Sequence, residues 1–259
     1  MTKKSFWFLL FLTIHVSSLA NECKVINAVC SPNWYPVSFI SSKNEAKGVA
    51  IGIMRALAKE SQLDIEFNCN IPWPRANLYM NLSKVDMLVG HYLNIERKQN
   101  WIVSDILFLD DIRAVYLDPK IEVNRVEDLK GLIGVKPRGA SFGTTIDKQI
   151  SKKALDFKMH EVNNMEAMIG LLLSRRVDYI LSDEKDIRKN VELYDLVGKV
   201  IISDSLTSVS VHFSFAKQSP CAKHLEHFNA LIKAYKTSGF IDELFEQAKN
   251  DYKDISVTD

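Results

Sequence analysis

Most of the usual announcements of chemistry are missing from this chain. No His-Glu-x-x-His helix occurs, and no serine or cysteine stands out as a nucleophile. Gly143-Thr144-Thr145 lacks the lysine of a phosphate-binding Walker sequence. His91, His160 and His212 are scattered, and His224 and His227 share a helix face with no acid or thiol pattern beside them to complete a metal set. We therefore expect no cofactor, no metal and no catalytic residue. Charge of one sign is also missing: 33 basic against 32 acidic side chains leave +1, so nothing draws the chain to nucleic acid or an acidic membrane. No low-complexity stretch divides it.

Long apolar runs are absent except at the start. Met1-Thr2-Lys3-Lys4 is basic, Phe6 to Ile14 is almost wholly apolar, and Ser18-Leu19-Ala20 supplies the small residues a signal peptidase reads. That run is short for a bilayer span. Ala20-Asn21-Glu22 before Cys23 is no lipobox. Residues 1–20 thus read as a cleaved export signal, with an uncleaved anchor as the alternative, and the mature chain as a soluble monomer of the periplasm. Cysteine is scarce, but Cys23, Cys30, Cys69 and Cys221 all survive such processing into an oxidising compartment. Four cysteines allow three full pairings. If Lys24–Val29 and Ile65–Asn68 are neighbouring parallel strands, Cys30 and Cys69 sit near matching ends, which favours that pair.

What the chain does contain is a duplicated phrase: Lys84-Val85-Asp86-Met87-Leu88-Val89-Gly90 and Arg176-Val177-Asp178-Tyr179-Ile180-Leu181-Ser182. Each time a basic residue closes an amphipathic helix, Val-Asp turns the chain, and an apolar strand follows. Strands are expected at Lys24–Val29, Asp64–Asn68, Asp86–Val89, Ile112–Leu117, Leu132–Val135, Met159–Val162, Tyr179–Leu181, Val200–Ile202 and Val209–Phe215. Helices are expected at Gly48–Ser61, Pro74–Leu82, Thr144–Leu155, Asn163–Arg175, Cys221–Tyr235 and Phe240–Tyr252. This alternation implies an α/β architecture of largely parallel sheets with right-handed crossovers. We place two lobes, residues 21–109 with 210–259 and residues 110–209. The chain crosses between them near Phe108–Arg113 and Ser205–His212.

Ligands collect beyond the carboxyl ends of strands in open α/β sheets. After the first copy of the phrase come Tyr92 and Arg97; after the second comes Asp183. Arginine's planar fork suits a carboxylate, whereas an ordinary surface arginine is the bland alternative. Asp183 can accept from a ligand ammonium or cap the helix Glu184–Leu193, and one oxygen can do each. Gly139-Ala140-Ser141-Phe142-Gly143 leaves backbone N–H groups and the Ser141 hydroxyl open at a helix start, an anion-friendly arrangement or a plain turn. Trp34 and Trp73 lie in loops after strands, suited to walling a pocket or to loop packing. Arg75 would be a second anionic contact or a salt-bridge partner.

Taken in order, Trp34-Tyr35-Pro36, Gly48, Trp73-Pro74-Arg75, Lys84-Val85-Asp86, Glu96-Arg97, Arg138-Gly139-Ala140-Ser141 and Val177-Asp178 to Asp183 resemble the bacterial extracellular solute-binding proteins of family 3, receptors of ABC importers for polar amino acids. The resemblance spans nearly the whole mature chain. It implies a two-lobed periplasmic-binding-protein fold (type II) on two hinge strands, closing around a small-molecule ligand. It implies that Arg97 holds the ligand carboxylate, Asp183 holds the α-ammonium, and Ser141 and backbone near Gly90 and Tyr92 add contacts. Trp34 and Trp73 then line the side-chain pocket, with Phe142 beside Ser141. An ABC permease or a membrane sensor is the implied partner. Two departures stand out. Gly52 replaces the aspartate many members carry after the helix-entry glycine, and His91-Tyr92-Leu93-Asn94 is bulkier than the usual hydroxyl-rich loop, so that Tyr92 would fill part of the pocket. A periplasmic enzyme on the same scaffold, resembling cyclohexadienyl dehydratase, is the alternative, with Glu96 or Asp183 as its acid or base.

Overall fold

A computed structural model describes residues 22–151 and 157–253. The expected leader and the end of the expected helix Thr144–Leu155 lie outside the described residues.

In chain order the elements are β1 (Val25–Val29), β2 (Asn33–Trp34), β3 (Ser38–Ile40), β4 (Ala46–Lys47), α1 (Val49–Glu60), β5 (Asp64–Asn68), α2 (Trp73–Asn81), β6 (Met87–Tyr92), α3 (Ile95–Asn100), β7 (Trp101–Val103) and β8 (Phe108–Tyr116). There follow β9 (Ile133–Pro137), α4 (Gly143–Ser151), β10 (Lys158–Val162), α5 (Met165–Leu173), β11 (Tyr179–Asp183), α6 (Glu184–Leu193), β12 (Ile201–Ile202), β13 (Thr207–Ala216), α7 (Leu225–Thr237) and α8 (Phe240–Lys253). No described helix is long and apolar enough to cross a membrane.

Ten strands form one curled sheet whose main path runs β10-β9-β11-β8-β13-β6-β1-β5. Its two ends are parallel, β5-β1-β6 at one and β10-β9-β11 at the other. Between them β8 and β13 run antiparallel to each other and to their outer neighbours. These are the two strands that join the lobes. Strand β13 pairs with β8 over Thr207–Val211 and with β6 over Val211–Phe215, and the β6 register shifts between His212 and Phe213, where Gly90 of β6 is left unpaired. Such a bulge bends the strand that carries the extra residue and increases the local twist of the sheet.

The duplicated phrase becomes duplicated geometry. The helices end in left-handed residues, Ser83 (φ 50°) and Arg175 (φ 55°). The next N–H groups, of Lys84 and Arg176, close back on Tyr79 and Leu171 carbonyls at 2.9 and 3.0 Å. Asp86 then accepts the Asn27 N–H at 2.9 Å, and Asp178 the Ile133 N–H at 2.7 Å. In each half one aspartate therefore satisfies a backbone donor of the neighbouring strand, in mid-strand at Asn27 and at the strand start at Ile133.

Side-chain pattern decides which faces are covered. Helix α1 buries Val49, Ile53, Met54 and Leu57 against the first half, and α5 buries Met168, Ile169 and Leu172 against Val115, Val135 and Ile180 in the second. A small sheet of β2, β3 and β4 was not foreseen; strands of two or three residues carry too few side chains for a periodic signal. The pairs Cys30–Cys69 and Cys23–Cys221 are disulfides. The first follows from register: Val29 lies opposite Asn68 in parallel strands, so the next residue on each is a cysteine. Both bonds tie the first half.

Candidate functional site

A cavity of about 410 Å3 opens between the two halves. Of the residues singled out above, Trp34, Trp73, Tyr92, Arg97, Ser141, Phe142 and Asp183 line it.

Arg97 comes from the first half. Asn94 caps α3, accepting the Arg97 N–H at 2.9 Å, and the short helix turns the guanidinium inward. The side chain is 6% exposed and lies between the Trp73 and Trp101 rings, at 5.9 and 5.5 Å from their centroids. One terminal nitrogen donates to the Tyr92 carbonyl at 2.7 Å and the other to Asn77 at 3.4 Å. Burial lowers its pKa to about 10, with Asp147 and Glu96 opposing the shift, so the cation persists at neutral pH.

His91 shares this anchor. Its Nδ1 lies 3.1 Å from the same Tyr92 carbonyl and its Nε2 is 2.7 Å from the Ser214 hydroxyl. A carbonyl only accepts, so Nδ1 carries the proton and Ser214 donates to Nε2. Burial and the Arg97 charge hold this imidazole neutral, well below its ordinary pKa. Alternation along an apolar strand cannot single out such a residue, and sequence reading passed over it.

Asp183 comes from the second half. It ends β11 and begins α6, and of the two roles read for this aspartate the helix cap is present. One oxygen caps the helix through the Asp186 N–H at 2.9 Å; the other accepts the Trp34 indole N–H at 2.9 Å. That second bond crosses between the halves. The group is 2% exposed. Burial, then Asp110 and Asp186, push its pKa well above the usual carboxylate range. Asp186 behaves likewise: burial and Asp110 push it up to about 8. Asp110 is the third buried acid, and it alone holds an ion pair, with Lys185 at 2.8 Å. Its other oxygen accepts the Tyr92 phenol at 3.0 Å. Tyr92 therefore stands in the cavity wall, its ring 4.9 Å from Trp34 and 6.3 Å from Phe142.

Three expectations meet a different geometry. Arg75 is exposed on α2 and does not line the cavity, although Trp73 and Pro74 of the same turn do. Gly90 also stays out of the lining. Its φ is 82°, and a Cβ there would come within 2.8 Å of Val37 Cγ1, so it lets β6 pass beneath Trp34. The start of α4 is not open to an anion: Asp147 accepts the Phe142 N–H at 2.9 Å and the Ser141 hydroxyl. Ser141 also accepts from Asn94 at 3.1 Å, a second bond across the halves, and from the Gly143 N–H at 3.2 Å. The expectation that the chain holds no Gly-x-Ser-x-Gly elbow is corrected in spacing: Gly139–Gly143 has that pattern on a strand-to-helix turn. No histidine is among the hydrogen-bond partners of its serine, so it is not arranged as a nucleophile. Among the described residues no group of three or more His, Cys, Asp or Glu side chains could hold a metal ion.

Two α/β lobes on a pair of strands, with a buried guanidinium on one and buried carboxyls on the other lining a shared cavity, define a solute-binding protein. The chain belongs to the bacterial extracellular solute-binding proteins, family 3, whose family model matches residues 26–250. A probable histidine-binding protein of Neisseria gonorrhoeae is 26% identical over 87% of this chain and 83% of its own. Solved structures agree on the fold. An ancestral arginine-binding protein bound to glutamine superposes with a TM-score of 0.72 at 21% identity, covering 86% of this chain and 97% of that one. Holo ArgBP from T. maritima gives 0.69 at 19%, covering 86% and 96%. An ancestral amino acid-binding protein, a precursor of cyclohexadienyl dehydratase, gives 0.68 at 22%, covering 86% and 94%.

Proposed function

We propose that this protein is exported to the periplasm by removal of residues 1–20 and there captures an amino acid or a close relative for an ABC-type importer. The carrying observation is the pair Arg97 and Asp183, a guanidinium and a carboxyl, both nearly fully buried and lining one cavity. Arg97 is stationed by Tyr92 and two indoles, so it meets the ligand carboxylate without reordering. Asp183 has its ionised form disfavoured by burial and by two neighbouring acids, and an arriving ammonium supplies the missing counter-charge. Trp34 and Tyr92 make the wall between these charges, and Ser141 positions Asn94 at the lobe junction. Residues 21–109 with 210–259 and residues 110–209 move as the lobes, hinged at β8 and β13. The relatives named for histidine and arginine binding support an amino-acid ligand.

Isothermal titration of the mature chain with the proteinogenic amino acids tests this reading. At least one should bind saturably. At about a hundred times its dissociation constant a ligand adds roughly 2.7 kcal/mol of stability, so melting curves give an independent readout. Loss of nothing on Arg97→Ala would remove that residue from the site.

A second reading has one observation behind it: Asp183 is a carboxyl of raised pKa inside a cavity, as a general acid requires. The other candidate acid, Glu96, is exposed on α3 and outside the lining. Turnover of a prephenate-like cyclic acid, lost in Asp183→Asn, would establish the enzyme; bound but unchanged acid excludes it.

A further inference from the structure

Beside the main cavity lies another of about 220 Å3, and Pro32, Asn33, Asn164, Met165 and Asp186 stand in the walls of both. Helix α6 passes along the pair. Asp183 lines only the first cavity, Asp186 both, and Asn190 and Tyr194 only the second. These positions form one helix stripe. A rise of 1.5 Å per residue sets Asp186 about 4–5 Å, and Asn190 about 10 Å, beyond Asp183 along the axis.

The chemistry of the second cavity is one-sided. Glu166 and Asp186 line it, and no lysine, arginine or histidine does. Tyr252 packs against Tyr35 and Phe39 in its wall, with centroids 4.6 and 5.3 Å apart. Carboxylates and aromatic faces together are partners for a cation. Tyr252 already accepts one: Lys189 Nζ lies 5.1 Å from its ring centroid. Asp186 is 7% exposed, receives one side-chain donor, the Asn190 amide at 2.9 Å, and has no ion pair among the described residues. A buried carboxyl on the partition between two cavities, short of a counter-charge, is a place for a ligand's positive group.

We propose that the second cavity is a cation subsite, and that the protein selects ligands whose amino-acid head carries a long, positively charged arm reaching Asp186. This rests on Arg97 and Asp183 holding the head. The arm leaves the head, passes Met165 on the partition, and delivers its charge between Asp186 and the aromatic wall. Lys189 competes for the Tyr252 face and gives way as the arm enters.

Titration calorimetry with L-norleucine, L-lysine and Nε-trimethyl-L-lysine holds the head constant and varies the end of the arm. The two cations should bind about tenfold or more tightly than norleucine, a difference of roughly 1.4 kcal/mol per decade. In Asp186→Asn the ratio of trimethyl-lysine to norleucine affinity should fall about tenfold. In Tyr252→Leu the same ratio should fall several-fold. Taking ratios cancels any general loss of head binding, and matching circular dichroism confirms the fold. Equal affinities in the parent protein, or a ratio unchanged in both variants, overturns the subsite while leaving amino-acid capture intact. If no amino acid binds but choline or cadaverine still shifts the melting curve through Asp186, the head assignment fails and the subsite stands. If these cations fail too, both fall.

Discussion

The half carrying Arg97 and the half carrying Asp183 grow from the same strand-turn phrase, yet they hold their charges in different ways. The first is stapled by Cys23–Cys221 and Cys30–Cys69, and its guanidinium sits between two indoles with its nitrogens already directed. The second has no disulfide among the described residues and gathers Asp183 and Asp186 around a helix start, next to Asp110 of the joining strand. One half pre-positions a cation by packing. The other buries carboxyls whose ionised forms lack a counter-charge. The lesson is that a guanidinium and a set of carboxyls can be brought to one cavity without symmetry in the structure that supports them.

The stiffness asymmetry is the largest effect to break. Replacing Cys30 and Cys69 together by alanine should cost on the order of 4 kcal/mol of unfolding free energy, given the 39-residue separation they close. Denaturant titration reads this directly, and an unmoved midpoint would show that this crosslink adds nothing to the stability of the first half. Next come the charges themselves. Arg97→Ala and Asp183→Asn should each weaken ligand binding by about 2–5 kcal/mol. Their effects on ligand-free stability should differ in sign: Arg97→Ala leaves a hole between Trp73 and Trp101 and lowers the melting temperature, whereas Asp183→Asn keeps the helix cap and relieves a buried charge. Identical melting shifts would erase the contrast.

A smaller effect is the pH dependence of the acidic half. Asp186 has an ordinary pKa of 3.8 and a folded one near 8. The folded state therefore binds more protons than the unfolded state between those values. Stability from this group is complete below the lower value and is lost as pH rises through the upper one. The melting temperature of the ligand-free protein, minus that of Asp186→Asn, should accordingly fall from about pH 5 to about pH 8. A rising difference would mean the group finds a counter-charge in the folded chain. The smallest effect is Trp34→Phe, which removes one bond across the halves and should weaken ligand binding by about 1 kcal/mol.

Much of this was legible from residues alone, and unevenly so. Both copies of the turn phrase, helix α1, and strands β1, β5 and β11 lie within a residue or two of where periodicity puts them, since local pattern controls burial there. Arg97 and Asp183 were singled out because each follows a strand end, and both line the cavity. Asp186 had a faint signal, three residues after Asp183 on a helix start. Asp110 and His91 had none: both sit in strands whose periodicity describes burial and says nothing of what the buried polar atom meets. Ser141 was visible as a hydroxyl beside glycines, but its engagement with Asp147 depends on how the first turn of α4 folds back.

What residue order settles, then, is the local part: which segments are strands and helices, which charges emerge at their ends, and that the chain repeats itself in two halves. Which of those charges meet is decided by the sheet that β8 and β13 thread through both halves. Trp34 and Asp183 are 149 positions apart in sequence and 2.9 Å apart in space. No local pattern encodes such a distance, because it results from summed strand registers and twists along the whole sheet.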